Sequence, residues 1–139
     1  MRDEREILID HLSTTFRQMI RMLQTDINEL FSEYIPWNEF TVLRVLYTNS
    51  PQMASQIASS VNVTSSHITA VTNRLLEKEL IIRKRSDSDR RIVYLEITEK
   101  GREIAEKLEN LKKEYYREKF FTWSNEEMKS VIELIERVI

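Results

Sequence analysis

The apolar side chains between residues 57 and 97 change their spacing once, from a helical period to strict alternation. Ile68, Val71 and Leu75 recur every three or four residues, which predicts the buried face of a helix. Residues 93–97 alternate between apolar and more polar side chains, which predicts a half-buried strand. A chain with this switch has to fold a helix directly before a small antiparallel sheet.

A second, shorter helix is predicted just before the first one. Ile57 supplies an apolar position, and Ala58 is small where two helices would approach closely. Asn62 is one of the few non-glycine residues that tolerate a left-handed turn. Thr64 can cap the following helix with its side-chain oxygen. The pattern therefore predicts a helix, a tight turn and a second helix.

Basic residues are concentrated where the two predicted strands turn back on each other. Between residues 83 and 91 there are five basic and two acidic side chains, a surplus of three positive charges, although the whole chain has a net charge of −2. A focused basic patch on an acidic protein is typical of a local contact with DNA. Helix, turn, helix and basic hairpin together predict a winged helix-turn-helix.

Long apolar seams flank this central part. Residues 7 to 35 predict a helix about 42 Å long, which is more than a small domain needs. Its apolar face is wider than one stripe, and the sequence ends with Val138 and Ile139. These features predict a dimer interface.

Two helix starts can be located after the strands. Thr98 is the predicted cap of a helix that contains Gly101, the only glycine of the chain, and a close backbone approach is the simplest reason for a glycine there. Ser124 and Glu127 form a capping-box pattern that predicts the start of the last helix.

Several classes of protein are disfavoured by what the sequence lacks. Without cysteine there are no disulfides, no thiol redox switch and no cysteine nucleophile. We find no glycine-rich phosphate loop, nucleophile elbow or metal-ligand spacing, so we predict neither an enzyme nor a bound cofactor. No apolar run approaches the ~20 residues of a membrane helix, and the charged start is unlike a signal peptide, so we predict a cytoplasmic protein without a membrane partner.

The order of elements and the hairpin motif resemble the MarR family of bacterial transcription regulators over nearly the whole chain. Residues 88–91, Ser-Asp-Arg-Arg, are similar to the family's wing signature, and residues 95–101 to its Leu-x-x-Thr-x-x-Gly continuation. We therefore expect a mainly α fold with a small β-hairpin wing. Residues 1–35 and 104–139 would form a helical dimerisation region, and residues 36–103 the winged helix-turn-helix DNA-binding domain.

The resemblance implies a homodimer that binds double-stranded DNA at an inverted-repeat operator, most often as a repressor. Two recognition helices would enter successive major grooves, with the wings over the flanking minor grooves, and a small aromatic effector could release the DNA. A winged-helix protein–protein module or antirepressor without DNA binding is the alternative.

The predicted DNA contacts lie on the start of the recognition helix and on the wing. The family pattern places Arg91 in the minor groove, with Asp89 holding it by a charge-assisted pair. Asn73 could pair with adenine, or could reach phosphate or solvent. The full predicted set is Thr64, Ser65, Ser66, His67, Thr69, Asn73, Arg74, Arg85, Asp89, Arg90 and Arg91, with the arginines at positions 74, 85 and 90 assigned to phosphates.

The remaining predictions concern departures from the family pattern and the contacts of an effector. Many family members carry a basic residue where this chain has Ala70, an acidic one at Asn73, and a glycine or similar residue at Glu79, which leaves the operator sequence open. The candidate effector contacts are His11, Phe16, Trp37, Phe40 and Tyr47. The alternative for these aromatic side chains is an ordinary core.

Overall fold

The computed structural model describes all 139 residues and contains six helices and one two-stranded sheet. In chain order the elements are α1 Glu4–Phe31, α2 Trp37–Thr48, α3 Ala54–Val61, α4 Ser65–Glu77, β1 Ile81–Arg85, β2 Val93–Ile97, α5 Glu99–Lys119 and α6 Asn125–Glu136. The predicted mainly α fold with a β-hairpin wing is confirmed. The chain divides into two compact units, residues 1–108 and 109–139.

The core of the first unit joins the end of α1 to the helices that follow. The ring of Phe31 lies 5.0 Å from that of Phe40 and 6.0 Å from that of Trp37, measured between centroids. Ile27 and Ile35 are buried as well. Packing is therefore continuous across residue 35, where we predicted the boundary of the DNA-binding domain.

Helix α1 begins and ends earlier than the predicted range of residues 7 to 35. Asp3 caps it by accepting a hydrogen bond from the backbone N–H of Glu6 at 2.9 Å. The helix ends at Phe31, so that Tyr34 and Ile35 lie in the following turn. The residue before a proline avoids the helical conformation, so Pro36 prevents the helix from continuing through Ile35.

Helices α3 and α4 are each followed by a non-glycine residue in the left-handed region. Asn62 has φ 55°, as the sequence predicted, and Glu79 has φ 61°. After α4 the N–H of Leu80 donates to the carbonyl of Leu75 at 3.0 Å, and a matching pair closes α3. Such hydrogen bonds from residues beyond the helix give partners to the last carbonyls of the helix.

The two strands form an antiparallel hairpin with Arg83 opposite Leu95. Ile81, Leu95 and Ile97 are buried on one face, whereas Ile82 lies on the other and is exposed. The backbone of Gln52 also exchanges two hydrogen bonds with Leu95, at 2.8 and 3.0 Å. The hairpin therefore has one face against the helices and one face toward solvent.

The second unit holds residues 109–139. Its last helix starts with the predicted capping box: Ser124 accepts from the N–H of Glu127 at 3.1 Å, and Glu127 accepts from the N–H of Ser124 at 2.9 Å. Aromatic rings pack before it, with Phe120 and Trp123 5.0 Å apart. No residue of α6 is buried. None of the helices combines the length and hydropathy required to cross a membrane.

Gly101 lies where the backbone of another element comes very close. A Cβ atom at this position would be 2.1 Å from the carbonyl oxygen of Leu80, far inside any real contact. The predicted reason for the single glycine, a close backbone approach, is confirmed. Thr98 caps α5 at the same place by accepting from the N–H of Gly101 at 3.0 Å.

We expect Gly101→Ala to lower the free energy of unfolding by about 1–3 kcal/mol, because the added methyl group meets an immovable carbonyl. In an ordinary helix the same change would raise stability by about 1 kcal/mol. Urea unfolding at fixed protein concentration measures the difference. Glu103→Ala, at an exposed position of the same helix, is the control and should change stability by less than ~0.5 kcal/mol. An unchanged or raised stability for Gly101→Ala would contradict the close approach.

Candidate nucleic-acid interface

Helix α4 buries one face and exposes the predicted contact residues. Ile68, Val71, Thr72 and Leu75 are buried. Exposed are Thr64, Ser65, Ser66, His67, Thr69, Asn73 and Arg74. The structure thus leaves every predicted residue of this helix accessible to solvent.

Local hydrogen bonds order the start of α4. Thr64 caps the helix by accepting from the N–H of His67 at 3.2 Å, as predicted. Its hydroxyl also lies 3.2 Å from that of Ser66. Thr69 donates its hydroxyl to the carbonyl of Ser65 at 2.9 Å. These groups are held in place before any ligand arrives, which limits the entropy that binding would consume.

Asp89 and Arg91 form the predicted clamp at the tip of the wing. The carboxylate of Asp89 accepts from Nε of Arg91 at 3.2 Å and from Nη2 at 3.3 Å. It also accepts from the backbone N–H of Arg91 at 3.0 Å. The Arg91 side chain is nevertheless 92% exposed. The clamp therefore holds one edge of a guanidinium that is otherwise exposed to solvent.

Arg85 holds the tip from the opposite strand. Its Nη1 donates to the carbonyl of Arg90 at 2.8 Å. A backbone hydrogen bond also crosses the wing, from the N–H of Ser86 to the carbonyl of Ile92 at 2.9 Å. The predicted phosphate contact of Arg85 stays a prediction, and the structure adds a second role in shaping the hairpin.

Arg74 faces α2. Its Nε lies 3.3 Å from Glu39, whose side chain is only 2% exposed, and Nζ of Lys78 lies 2.5 Å from the same carboxylate. A buried carboxylate needs such partners. The predicted phosphate contact of Arg74 is untested, but this residue has a structural partner that the sequence did not indicate.

Asn73 faces the wing instead. Its side-chain oxygen accepts from Nη2 of Arg83 on β1 at 2.8 Å. Arg83 was absent from the predicted contacts. The alternation of the strand could have indicated it, because Arg83 shares a face with the buried Ile81, and that face turns toward the helices.

The five candidate effector residues are not brought together within one chain. Phe40 is fully buried among other rings, in the ordinary core that was the alternative. His11 lies 20 residues before Phe31 on α1, or about 30 Å along the helix axis, and Phe16 lies about 22 Å from it. His11 and Phe16 therefore cannot line one pocket with Trp37, which stacks on Phe31.

Known proteins with similar sequences point to the same family as the wing motif. The profile of the MarR family matches residues 35–93. The HTH-type transcriptional regulator YpoP of Bacillus subtilis, itself uncharacterized, is 36% identical over 127 residues, which cover 91% of this chain and 90% of that protein. The chain belongs to the MarR family. It is thus a DNA-binding transcription regulator of the winged-helix type.

Other relatives support the family assignment or the fold. The regulator MhqR of Bacillus subtilis is 46% identical over 63 residues, 45% of this chain and 43% of its own. A MarR-family protein of Bacillus stearothermophilus has a similar fold, with a TM-score of 0.80 at 19% identity over 99% of this chain and 96% of its own. The regulator BldR of Sulfolobus solfataricus has a TM-score of 0.72 at 27% identity over the full length of both chains.

The hydrogen bonds between Arg91 and Asp89 predict how the Asp89 carboxyl responds to pH. The side-chain hydrogen bond from Arg91, followed by the backbone one, lowers the pKa of the Asp89 carboxyl below its ordinary value. A lowered pKa means that the clamp is intact at neutral pH and is lost only as the pH falls through that lowered value. In an NMR titration, Arg91→Ala should move the midpoint of Asp89 upward toward the ordinary ~3.9.

Arg90→Ala, next in the chain, is the matched control for that titration. It removes a guanidinium that does not contact Asp89 in the clamp, so the midpoint should stay lowered. The clamp would be refuted if both variants left the midpoint where the unmodified protein has it.

Proposed function

We propose that this MarR-family chain is a homodimeric repressor that binds an inverted-repeat operator in double-stranded DNA. The clamped, outward-pointing Arg91 is the observation that carries the DNA-binding part of the proposal. An arginine held along one edge of its guanidinium and exposed along the other is suited to a narrow A·T-rich minor groove, where negative potential is concentrated.

The recognition helix supports the same proposal. Its exposed side is short-chained and rich in hydroxyl and amide groups from Ser66 through Thr69 to Asn73, a stripe that can approach the floor of a major groove closely. Backbone N–H groups at the start of α4 add donors for phosphate. The protein would then read bases with the helix and groove shape with the wing.

The outer two-thirds of α1 support the homodimer. Its apolar side chains are exposed in the single chain, including Leu8 at 57%, Leu12 at 61% and Ile20 at 47%. Monomeric proteins rarely leave a contiguous apolar surface of that kind in water. A second copy of this chain is the partner that a symmetric regulator of an inverted repeat requires.

The second unit gives independent support. Phe121 is 84% exposed, and Ile132, Leu134 and Val138 are each more than half exposed. A helix of about three turns with no buried residue, as α6 is, has little stability of its own. We propose that the partner subunit covers this surface too. An effector site that includes His11 or Phe16 would then have to be completed by the partner.

We expect the protein to sediment as a dimer at micromolar concentration. Leu12→Asp should shift it toward monomer, because a charge on the apolar seam is desolvated in the interface. Thr14→Asp, about 200° around the same helix, is the matched control and should remain a dimer. A monomeric unmodified protein, or equal behaviour of the two variants, would refute the proposed interface.

Operator binding tests the proposal directly. Duplexes selected from a random library should contain an inverted repeat with half-site centres about 10 bp apart. In fluorescence anisotropy, Arg91→Ala should weaken binding roughly tenfold or more on A·T-rich flanks and clearly less on G·C-rich flanks.

Arg21→Ala removes one positive charge from α1 and is the matched control, with little effect expected on either flank. Absence of duplex binding at low salt would instead favour the antirepressor alternative. Equal losses for Arg91→Ala on both kinds of flank would assign Arg91 to phosphate rather than to groove shape.

A further inference from the structure

A hydrogen bond joins the recognition helix to the wing. Nη2 of Arg83, on β1, donates to Oδ1 of Asn73, on α4, at 2.8 Å. Both residues are exposed, so the pair lies at the surface rather than in the core. The family resemblance assigns no role to Arg83, and Asn73 departs from the family's common acidic residue.

The chemistry of arginine fixes which way the amide of Asn73 points. A guanidinium carries five N–H donors and no acceptor. Asn73 must therefore turn its oxygen toward Arg83, and its NH₂ group points elsewhere. A free asparagine could present both groups side by side to adenine, which offers an acceptor at N7 and a donor at N6. The bond to Arg83 removes this option.

Asn73 lies in line with two other exposed polar residues of the helix. Thr69 and Ser66 lie four and seven residues before it, and the three form one stripe on the exposed side of α4. The buried residues Ile68 and Leu75 lie on the opposite side. Asn73 is the last member of the stripe and the one closest to the wing.

We propose that Arg83 determines specificity, because the Arg83–Asn73 pair presents only hydrogen-bond donors to the edge of a base. The pair recognises guanine at one symmetric position of each half-site. The NH₂ group of Asn73 and the remaining N–H groups of Arg83 are all donors. Guanine is the base with two acceptors, N7 and O6, on its major-groove edge. Adenine and cytosine present an amino donor to the same site, which leaves donor facing donor, and thymine offers a single acceptor beside a methyl group.

This inference rests on the proposed binding to an operator, and the test separates the two. The unmodified protein and Arg83→Ala are each used to select duplexes from the same random library. The motif of the unmodified protein should hold a guanine in each half-site that becomes adenine or undefined for Arg83→Ala. Anisotropy on duplexes with guanine or adenine there should give at least about fivefold discrimination for the unmodified protein, the lower end for one good base contact.

Three further variants sharpen the result. Arg83→Lys is also donor-only and should retain the preference for guanine. Asn73→Asp keeps the shape and the bond to Arg83 but replaces the NH₂ donor with an oxygen acceptor, which would face the acceptors of guanine, so this variant should lose the preference. Lys84→Ala removes a neighbouring charge that lies on the other face of the hairpin and pairs with Glu96 at 2.8 Å. It should leave the ranking of bases unchanged.

Each adverse outcome has a distinct meaning. If the unmodified protein selects an inverted repeat and Arg83→Ala selects the same bases, the inference is overturned while the proposed function stands. Equal weakening of Arg83→Ala on every sequence assigns the pair to a phosphate and overturns it as well. If the unmodified protein binds no duplex, the proposed function and the inference fail together.

Discussion

Three consecutive carbonyls at the end of the recognition helix are held by the first turn of α5, and the geometry of the DNA-binding surface depends on these contacts. Lys100 Nζ donates to the carbonyl of Lys78 at 3.2 Å, and the hydroxyl of Thr98 donates to that of Glu79 at 2.8 Å. The N–H of Thr98 donates to Leu80 at 3.0 Å. Such carbonyls have no partner inside their own helix. The recognition helix is therefore fixed to the helix that leads out of the DNA-binding part, and this approach is the reason that residue 101 carries no side chain.

The same contacts determine where the wing lies. Strand β1 begins at Ile81, one residue after the held carbonyls, and β2 ends at Ile97, one residue before Thr98. Both ends of the hairpin are thus anchored at the end of α4. The anchored hairpin lies beside the helix, and Arg83 on its first strand reaches Asn73. A protein that combines one base contact from the helix with recognition of groove shape by the wing requires a fixed spacing between the two elements.

The elements of the fold could be predicted because they follow from local rules. The apolar period located α4, and the caps at Thr64 and Ser124 were read from single residues whose oxygens bond three positions ahead. The polar pairs could not be read in this way. Glu39 meets Lys78 across 39 positions of sequence, and a period shows only which face is buried, not which charges meet on it. The first helix was placed too late in the chain because its apolar seam extends past its end into the turn before Pro36.

The electrostatics of the wing follow from which of its cations have carboxylate partners. The Glu96 carboxylate pairs with Nζ of Lys84 at 2.8 Å and raises the pKa of that lysine, so the charge of Lys84 is compensated on the face turned away from α4. Arg83 and Arg85 bond to neutral oxygens, those of Asn73 and of the Arg90 carbonyl, so these bonds do not compensate their charges. Salt screens such exposed charges beyond about 10 Å, so what matters is their position more than their number. An acidic protein can in this way hold a local positive surface beside its recognition helix.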